Sequence, residues 1–329
     1  MRNSGFTIIE LMIASLLVAV VMVFTMEIFT VNNRSYINVD SVVDSQQSVR
    51  AIASVLERDL RHAGMMIPEG AGVCAIDNFA APDLLYVSDH TAINPNTSIG
   101  YFDGARVQGN VSQVNVSPTD TTFNLDSLMM EPGTADPAYD TDGNGVKDSD
   151  FRVNGGVIVT DLLDPSRGSA CGIVKSVDLI TDSITIEIRT AALGLSGGAF
   201  ALIAVPALEY RITSNRLFRN NLLLAEGVED LQFAFFLDVN GNRQLDVGEL
   251  KGIDTGPDNY VAAASDASDL RAVRLNIVVR TRSQDERFTQ GFFQAMENRT
   301  AIPGTDGFRR RVHTAIVRMR NIGDRVEGT

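Results

Sequence analysis

The sequence predicts an α+β protein in which one long N-terminal helix packs on a head of antiparallel β-sheet. No Pro or Gly occurs from residue 6 to residue 63, and the apolar residues in this stretch follow a helical pattern. Beyond residue 70, short runs with an alternation of period two replace that pattern. Short turns and few helical windows favour an antiparallel sheet laid on the helix over a parallel sheet.

The first half of the helix is apolar on all sides. The apolar run extends from Phe6 to Met26 and contains one charge, Glu10. About 20 such residues span the hydrocarbon core of a bilayer. An ordinary secretory signal is cut after its apolar region, but here the small-residue site, Gly5, lies before it. We therefore predict a leader at residues 1–5 and a retained membrane-spanning segment at 6–30.

The second half of the helix, residues 31–64, is amphipathic. Its apolar side chains recur at spacings of three to seven residues and are Val42, Val49, Ile52, Leu56, Leu60 and Ala63. Gly64 is a suitable C-terminal stop, and Pro68 follows it. At about 1.5 Å per residue, the predicted helix over residues 6–63 is a rod of roughly 90 Å. Its second half is expected to pack on the head.

Residues 65–329 are predicted to form the β-rich head. Val273, Leu275 and Ile277 alternate with more polar residues, as expected of a half-buried strand. Residues 89–154 are rich in Asp, Asn, Gly, Ser, Thr and Pro, so we expect inserted loops and short hairpins there. The predicted strands cover residues 83–88, 155–163, 183–191, 199–213, 231–238, 270–282 and 309–322.

Composition and motifs argue against nucleic-acid binding and against catalysis. The formal net charge is −13, and the one short basic run is at 309–311, so a broad basic surface is not expected. The three histidines, His62, His90 and His313, do not cluster in the sequence. Residues 194–198 match G-x-S-x-G, but a strand-like run follows where a nucleophile elbow needs a helix. The sequence therefore predicts a protein that is not an enzyme.

Two acidic loops are candidate calcium sites, since they offer oxygen ligands at alternate positions. In the first loop Gly145 allows a sharp turn, but Phe151 stands where the closing Glu is expected. In the second loop Arg243 replaces the usual glycine. Ordinary surface turns have the same composition and remain the alternative. The candidate ligands are Asp140, Asp142, Asn144, Asp148 and Asp150 in the first loop, and Asp238, Asn240, Asn242, Asp246 and Glu249 in the second.

The stretch G-FTIIELMIA, from Gly5 to Ala14, resembles the class III signal of type IV prepilins and pseudopilins. The resemblance implies that a prepilin peptidase cleaves after Gly5 and N-methylates Phe6. It also maps the family's buried glutamate onto Glu10. A carboxylate in hydrocarbon is costly without a partner, and we expect none on its own helix. The terminal amine of a neighbouring subunit would supply one and set the register of assembly. A plain membrane anchor with an accidental acid is the alternative.

Four further blocks resemble the PilW-type minor pilins and, more distantly, the J-type pseudopilins of type II secretion. These blocks lie at residues 55–64, 216–238, 270–282 and 317–323. The resemblance implies a type IV pilin-like fold and a minor pilin that helps to prime pilus assembly and form the tip complex. The alternatives are a minor pseudopilin and a membrane-anchored calcium- or ligand-binding protein.

The same resemblance implies a location and a set of partners. The protein is expected to span the inner membrane once, with its head in the periplasm, before it enters a cell-surface pilus. The implied partners are other minor and major pilins, the prepilin peptidase, inner-membrane assembly proteins and a large tip adhesin. In an oxidising periplasm, Cys74 and Cys171 are expected to form one disulfide. Two buried free thiols are the alternative.

Overall fold

The computed structural model of the protein describes most of the chain. The described residues are 7–65, 67–88, 105–108, 120–126, 151–164, 167–178, 180–191, 193, 201–253, 269–285, 288, 291–293, 295–304 and 306–322. Much of the predicted insertion at 89–154, including the first acidic loop, lies outside these residues.

Helix α1 extends over Ile8–His62. It ends where the sequence predicts, because Gly64 adopts a left-handed φ of +79° that favours glycine. A Cβ atom at Gly64 would also lie 2.4 Å from Cγ1 of Ile322, so the close approach of the C-terminal segment excludes a side chain there. The prediction of one continuous helix followed by a glycine stop is confirmed.

Sixteen strands fall within the described residues, and all of their pairings are antiparallel. The larger sheet contains β1 Val73–Ile76, β2 Leu84–Val87, β3 Ala105–Arg106, β4 Thr121–Asn124, β5 Gly156–Asp161, β6 Ser169–Asp178, β7 Ser183–Ala191, β8 Leu202–Thr213, β9 Arg216–Arg219 and β10 Leu222–Glu226. The second sheet has the order β12-β11-β13-β16, with β11 Val228–Leu237, β12 Leu250–Lys251, β13 Leu270–Arg280 and β16 Arg310–Arg318. A separate hairpin pairs β14 Gly291–Phe293 with β15 Ile302–Gly304.

The second half of α1 packs against the second sheet. Its buried side chains share one core with those of β11, β13 and β16. Val273, Leu275 and Ile277 lie on the face of β13 that enters this core, which confirms the predicted alternation. The fold is therefore α+β, with one long helix laid on an antiparallel sheet, as the sequence predicts.

The larger sheet has its own apolar core, formed by side chains of β4 to β8. Cys74 on β1 and Cys171 on β6 are joined by a disulfide, in agreement with the expected pairing. Two parts of the predicted loop insertion, β3 and β4, belong to this sheet, and Phe123 of β4 is buried in its core. Threonines and an asparagine flank Phe123 in the sequence, so the polar composition of this segment did not indicate that it forms a short strand.

Candidate assembly site on the N-terminal helix

The first half of α1 presents an exposed apolar surface. Every large apolar side chain from Ile8 to Phe29 is exposed, because the head covers only the second half of the helix. This part of α1 is long and apolar enough to cross a membrane, and no residue of its apolar window is buried. Such a surface is stable only in a bilayer or against other helices.

Glu10 has a partner on its own helix, contrary to the expectation. The backbone amide and the hydroxyl of Thr7 each donate to Oε2 of Glu10, at 2.9 Å in both cases. The amide of Glu10 donates in turn to Oγ1 of Thr7 at 3.3 Å, which completes a capping box. The expectation overlooked Thr7 because its hydroxyl lies inside an apolar run. A threonine three residues before a glutamate is the signal that identifies this cap.

Gly5 and Phe6, the predicted cleavage and methylation sites, lie outside the described residues. The N-cap residue Thr7 has extended backbone angles, with φ −81° and ψ 151°, and the helix begins at Ile8. The predicted cleavage point is thus separated from the helix by two residues. Processing at Gly5 remains a prediction.

A buried polar cluster joins the other end of α1 to the head, and the sequence analysis did not identify it. Tyr210 of β8 donates its hydroxyl proton to Oδ2 of Asp59 at 2.5 Å. Arg219 of β9 donates to the same oxygen at 2.7 Å. Burial raises the pKa of Tyr210, and the adjacent Asp59 carboxylate adds to the effect. The sequence signal for this cluster is the acidic residue Asp59, which lies beside the apolar stripe formed by Leu56 and Leu60.

The second acidic loop connects β11 to β12, and its polar side chains contact one another. Oδ2 of Asp246 lies 3.3 Å from Nδ2 of Asn240 and 2.7 Å from Nδ2 of Asn242. The amide of Asn240 donates to Oε1 of Glu249 at 3.0 Å. Hydrogen bonds therefore link four of the five predicted ligands of this loop, Asn240, Asn242, Asp246 and Glu249.

Asp238 lies at the start of this loop, directly after β11. Its burial opposes ionisation, but the backbone amide of Arg243 and the guanidinium of Arg271 outweigh that effect and lower its pKa. Oδ2 of Asp238 lies 3.0 Å from the Arg243 amide and 3.1 Å from Nε of Arg271. Within the described part of the chain, no three His, Cys, Asp or Glu residues gather as a ready metal site.

The remaining sequence motifs contribute little to this site. His62 is exposed at the end of α1, and Nε2 of His313 lies 3.9 Å from a carboxylate oxygen of Glu57. His90 and the G-x-S-x-G segment at 194–198 lie outside the described residues.

Comparisons with known proteins agree with both ends of this arrangement. Residues 1–26 match the family model of the prokaryotic N-terminal methylation motif, and residues 195–321 match that of the type IV pilus-assembly protein W. No curated protein matches the chain. A type IV-like pilin from Thermus thermophilus is 13% identical and covers 84% of this chain and 95% of its own, with a TM-score of 0.32. That score is too low to establish a common fold.

The two family matches confirm the resemblance drawn from the sequence. A prepilin-type N-terminus followed by an exposed apolar helix fits a membrane-anchored pilin that later forms part of a pilus. The type IV pilus-assembly protein W match covers β8 to β16, including the sheet on which α1 packs. The chain therefore combines an N-terminal methylation motif with a region similar to the type IV pilus-assembly protein W, and together the two matches support the PilW-type resemblance.

Proposed function

We propose that this protein is a minor pilin that enters type IV pili through α1, helps to prime their assembly and carries its head at or near the tip. The observation that supports this most is the continuity of α1. One helix is apolar and uncovered over its first half and is built into the head over its second half. A filament of packed helices covers the first half, while the bulky head remains outside the helical array and favours a terminal position.

The geometry at Glu10 supports a role in setting the register between subunits. Both donors from Thr7 end on Oε2, which leaves Oε1 for the terminal amine of a neighbouring subunit. An ion pair with that amine would offset the cost of holding a carboxylate in an apolar environment. The Thr7 cap would hold Glu10 in place before the neighbour arrives.

The proposed partners follow from this arrangement. The prepilin peptidase would remove the leader and methylate Phe6, and inner-membrane assembly proteins would supply the energy for extraction from the membrane. Other minor and major pilins would contact the exposed half of α1, and a large tip adhesin is a further proposed partner of the head.

The test is mass spectrometry of pili sheared from cells that produce the wild-type protein, Glu10→Val or Glu27→Val. Glu27 is the matched control, because it is an exposed acid on the same helix, outside the predicted register position. We expect the wild type and Glu27→Val in sheared pili, and a loss of at least tenfold for Glu10→Val with normal amounts in the membrane. Equal incorporation of all three would contradict the role of Glu10. Absence of the wild type from pili, together with a secretion defect in its deletion strain, would indicate a pseudopilin instead.

A further inference from the structure

The loop at residues 238–249 has no part in the proposed assembly function, yet its two ends are held together by the fold. Strands β11 and β12 pair antiparallel, with Phe236 opposite Leu250. Asp238 follows Phe236 by two residues, and Glu249 directly precedes Leu250. The first and last acids of the loop therefore lie at its closed end, where the pairing of the two strands fixes their separation.

Each of these two acids keeps one buried oxygen without a partner among the described residues. Asp238 is 3% exposed, and its Oδ1 atom accepts no hydrogen bond although Oδ2 is bonded to the Arg243 amide. Oε2 of Glu249 is likewise buried and unpartnered, while Oε1 accepts from the Asn240 amide. A backbone amide of the loop donates to the other oxygen of each carboxylate, and Oδ2 of Asp238 is also paired with Arg271 of β13. Buried carboxylate oxygens are normally paired, so each unpaired oxygen at the closed end is available to a ligand.

The interior of the loop offers further oxygens. Asn240 and Asn242 direct their side-chain amides towards Oδ2 of Asp246. Oδ1 of Asn240 accepts from the Asn242 amide at 2.9 Å, and Oδ1 of Asn242 accepts from the Gln244 amide at 2.7 Å. An amide oxygen has two lone pairs, so each of these oxygens keeps one for a cation. Arg243, at the position where calcium loops usually carry glycine, has a left-handed φ of 58°. Its backbone thus makes the turn that glycine normally makes.

We propose that the 238–249 loop binds one calcium ion through side-chain oxygens of Asp238, Asn240, Asn242, Asp246 and Glu249. The ion would draw the carboxylates together around the oxygens of the two Asn side chains. A hard divalent cation with six to eight oxygen ligands fits this set better than a metal that prefers nitrogen or sulfur. The nearby cations Arg243 and Arg271 lower the affinity of the site for calcium. We therefore expect a Kd of about 10⁻⁴–10⁻³ M, as in extracellular calcium-binding modules.

Calcium in this loop would stabilise one corner of the second sheet. Asp238 is ion-paired with Arg271 of β13, so the loop is connected to both neighbours of β11 in the sheet. Binding should therefore slow amide hydrogen exchange in the loop and in β12 first. This effect does not depend on entry into a filament.

The experiment is equilibrium dialysis of the full-length protein in detergent against radioactive calcium, with hydrogen-exchange mass spectrometry of residues 238–251. Glu249→Gln is the test variant, because a change at Asp238 would also remove the partner of Arg271. We expect Glu249→Gln to lower the calcium affinity of this site at least tenfold and to abolish the calcium-dependent protection of the loop. Glu226→Gln, which removes an exposed acid of β10, is the matched control and should leave both unchanged.

A second variant tests the proposal by a gain of affinity. Arg243→Gly removes a cation and restores the residue best suited to a left-handed φ, so it should tighten binding several-fold. The proposal is overturned if the wild type binds no calcium at millimolar concentration, or if Glu249→Gln binds and protects like the wild type. Equal losses in Glu226→Gln and Glu249→Gln would also overturn it, because they would indicate a general charge effect.

Discussion

The two halves of α1 belong to one continuous helix, but their apolar side chains have different surroundings. In the first half, the large apolar residues from Ile8 to Phe29 face outward and have no covering element within the described residues. In the second half, Val49, Ile52 and Leu56 are buried against the second sheet. The comparison shows that one helix serves two separate structures, its own head and an assembly of other chains or a membrane.

Each half also carries one acid in an apolar setting. Glu10 in the first half is capped by Thr7 and keeps one oxygen free for a partner from outside the chain. Asp59 in the second half is satisfied inside the head by Tyr210 and Arg219. The proposed assembly therefore gives the same residue class an intermolecular role at one end, while its role at the other end is intramolecular.

The largest effect is expected at the processing site that releases the first half. Gly5→Glu should block cleavage completely, because a bulky charged residue replaces the small one at the scissile bond. N-terminal mass spectrometry should find Phe6 with an N-methyl group in the wild type and Met1 in the variant. Normal cleavage of Gly5→Glu would contradict the assignment of the site.

Removal of the acid in the second half should destabilise the head. Asp59→Ala leaves Tyr210 and Arg219 without their shared acceptor, and we expect a loss of about 2–3 kcal/mol in the free energy of unfolding. This value lies below that of fully buried pairs because Arg219 is partly exposed. Denaturant unfolding followed by circular dichroism measures it. Glu10→Ala is the control and should not change it, and equal losses for both would contradict the division of roles.

A third acid, Asp83, makes the stability of the head depend on pH. Burial raises the pKa of Asp83 to about 8, and the nearby carboxylates of Asp77 and Asp230 add to the rise. Hydrogen bonds from the backbone amides of Asn78 and Phe233 lower the pKa but do not cancel this effect. The folded head therefore holds a proton that the unfolded chain, with a pKa near 3.8, releases. This contribution to stability is fully present below pH 3.8 and is lost as the pH rises through 8.

We expect the free energy of unfolding to fall between pH 6 and pH 8 by up to about 1.4 kcal/mol per pH unit. Asp83→Asn should flatten this slope even if it lowers stability overall. Unfolding curves at several pH values measure both slopes. A stability that rises over this range in the wild type, or equal slopes in the two proteins, would contradict the pKa assigned to Asp83.

Features set by local sequence could be predicted, and features that depend on tertiary contacts could not. The absence of Pro and Gly predicted α1, and alternation predicted β13 and β16. Strand β6 was missed because it contains Gly172, Ser and Lys residues. Gly172 is explained by the fold, since a Cβ atom there would lie 2.1 Å from the Glu187 carbonyl oxygen of β7. The Asp59 cluster combines residues more than 150 positions apart, so no local pattern reveals it.

The central claim is that the first half of α1 acts between molecules and the second half within the head. Its most direct test compares Leu17→Ala with Leu56→Ala, which remove the same atoms from side chains that are 58% and 0% exposed. Unfolding of the head and recovery in sheared pili are measured for both. We predict that Leu56→Ala lowers the free energy of unfolding by about 2–5 kcal/mol, while Leu17→Ala leaves it unchanged and reduces recovery in pili. Destabilisation of the head by Leu17→Ala to the same extent would contradict the claim.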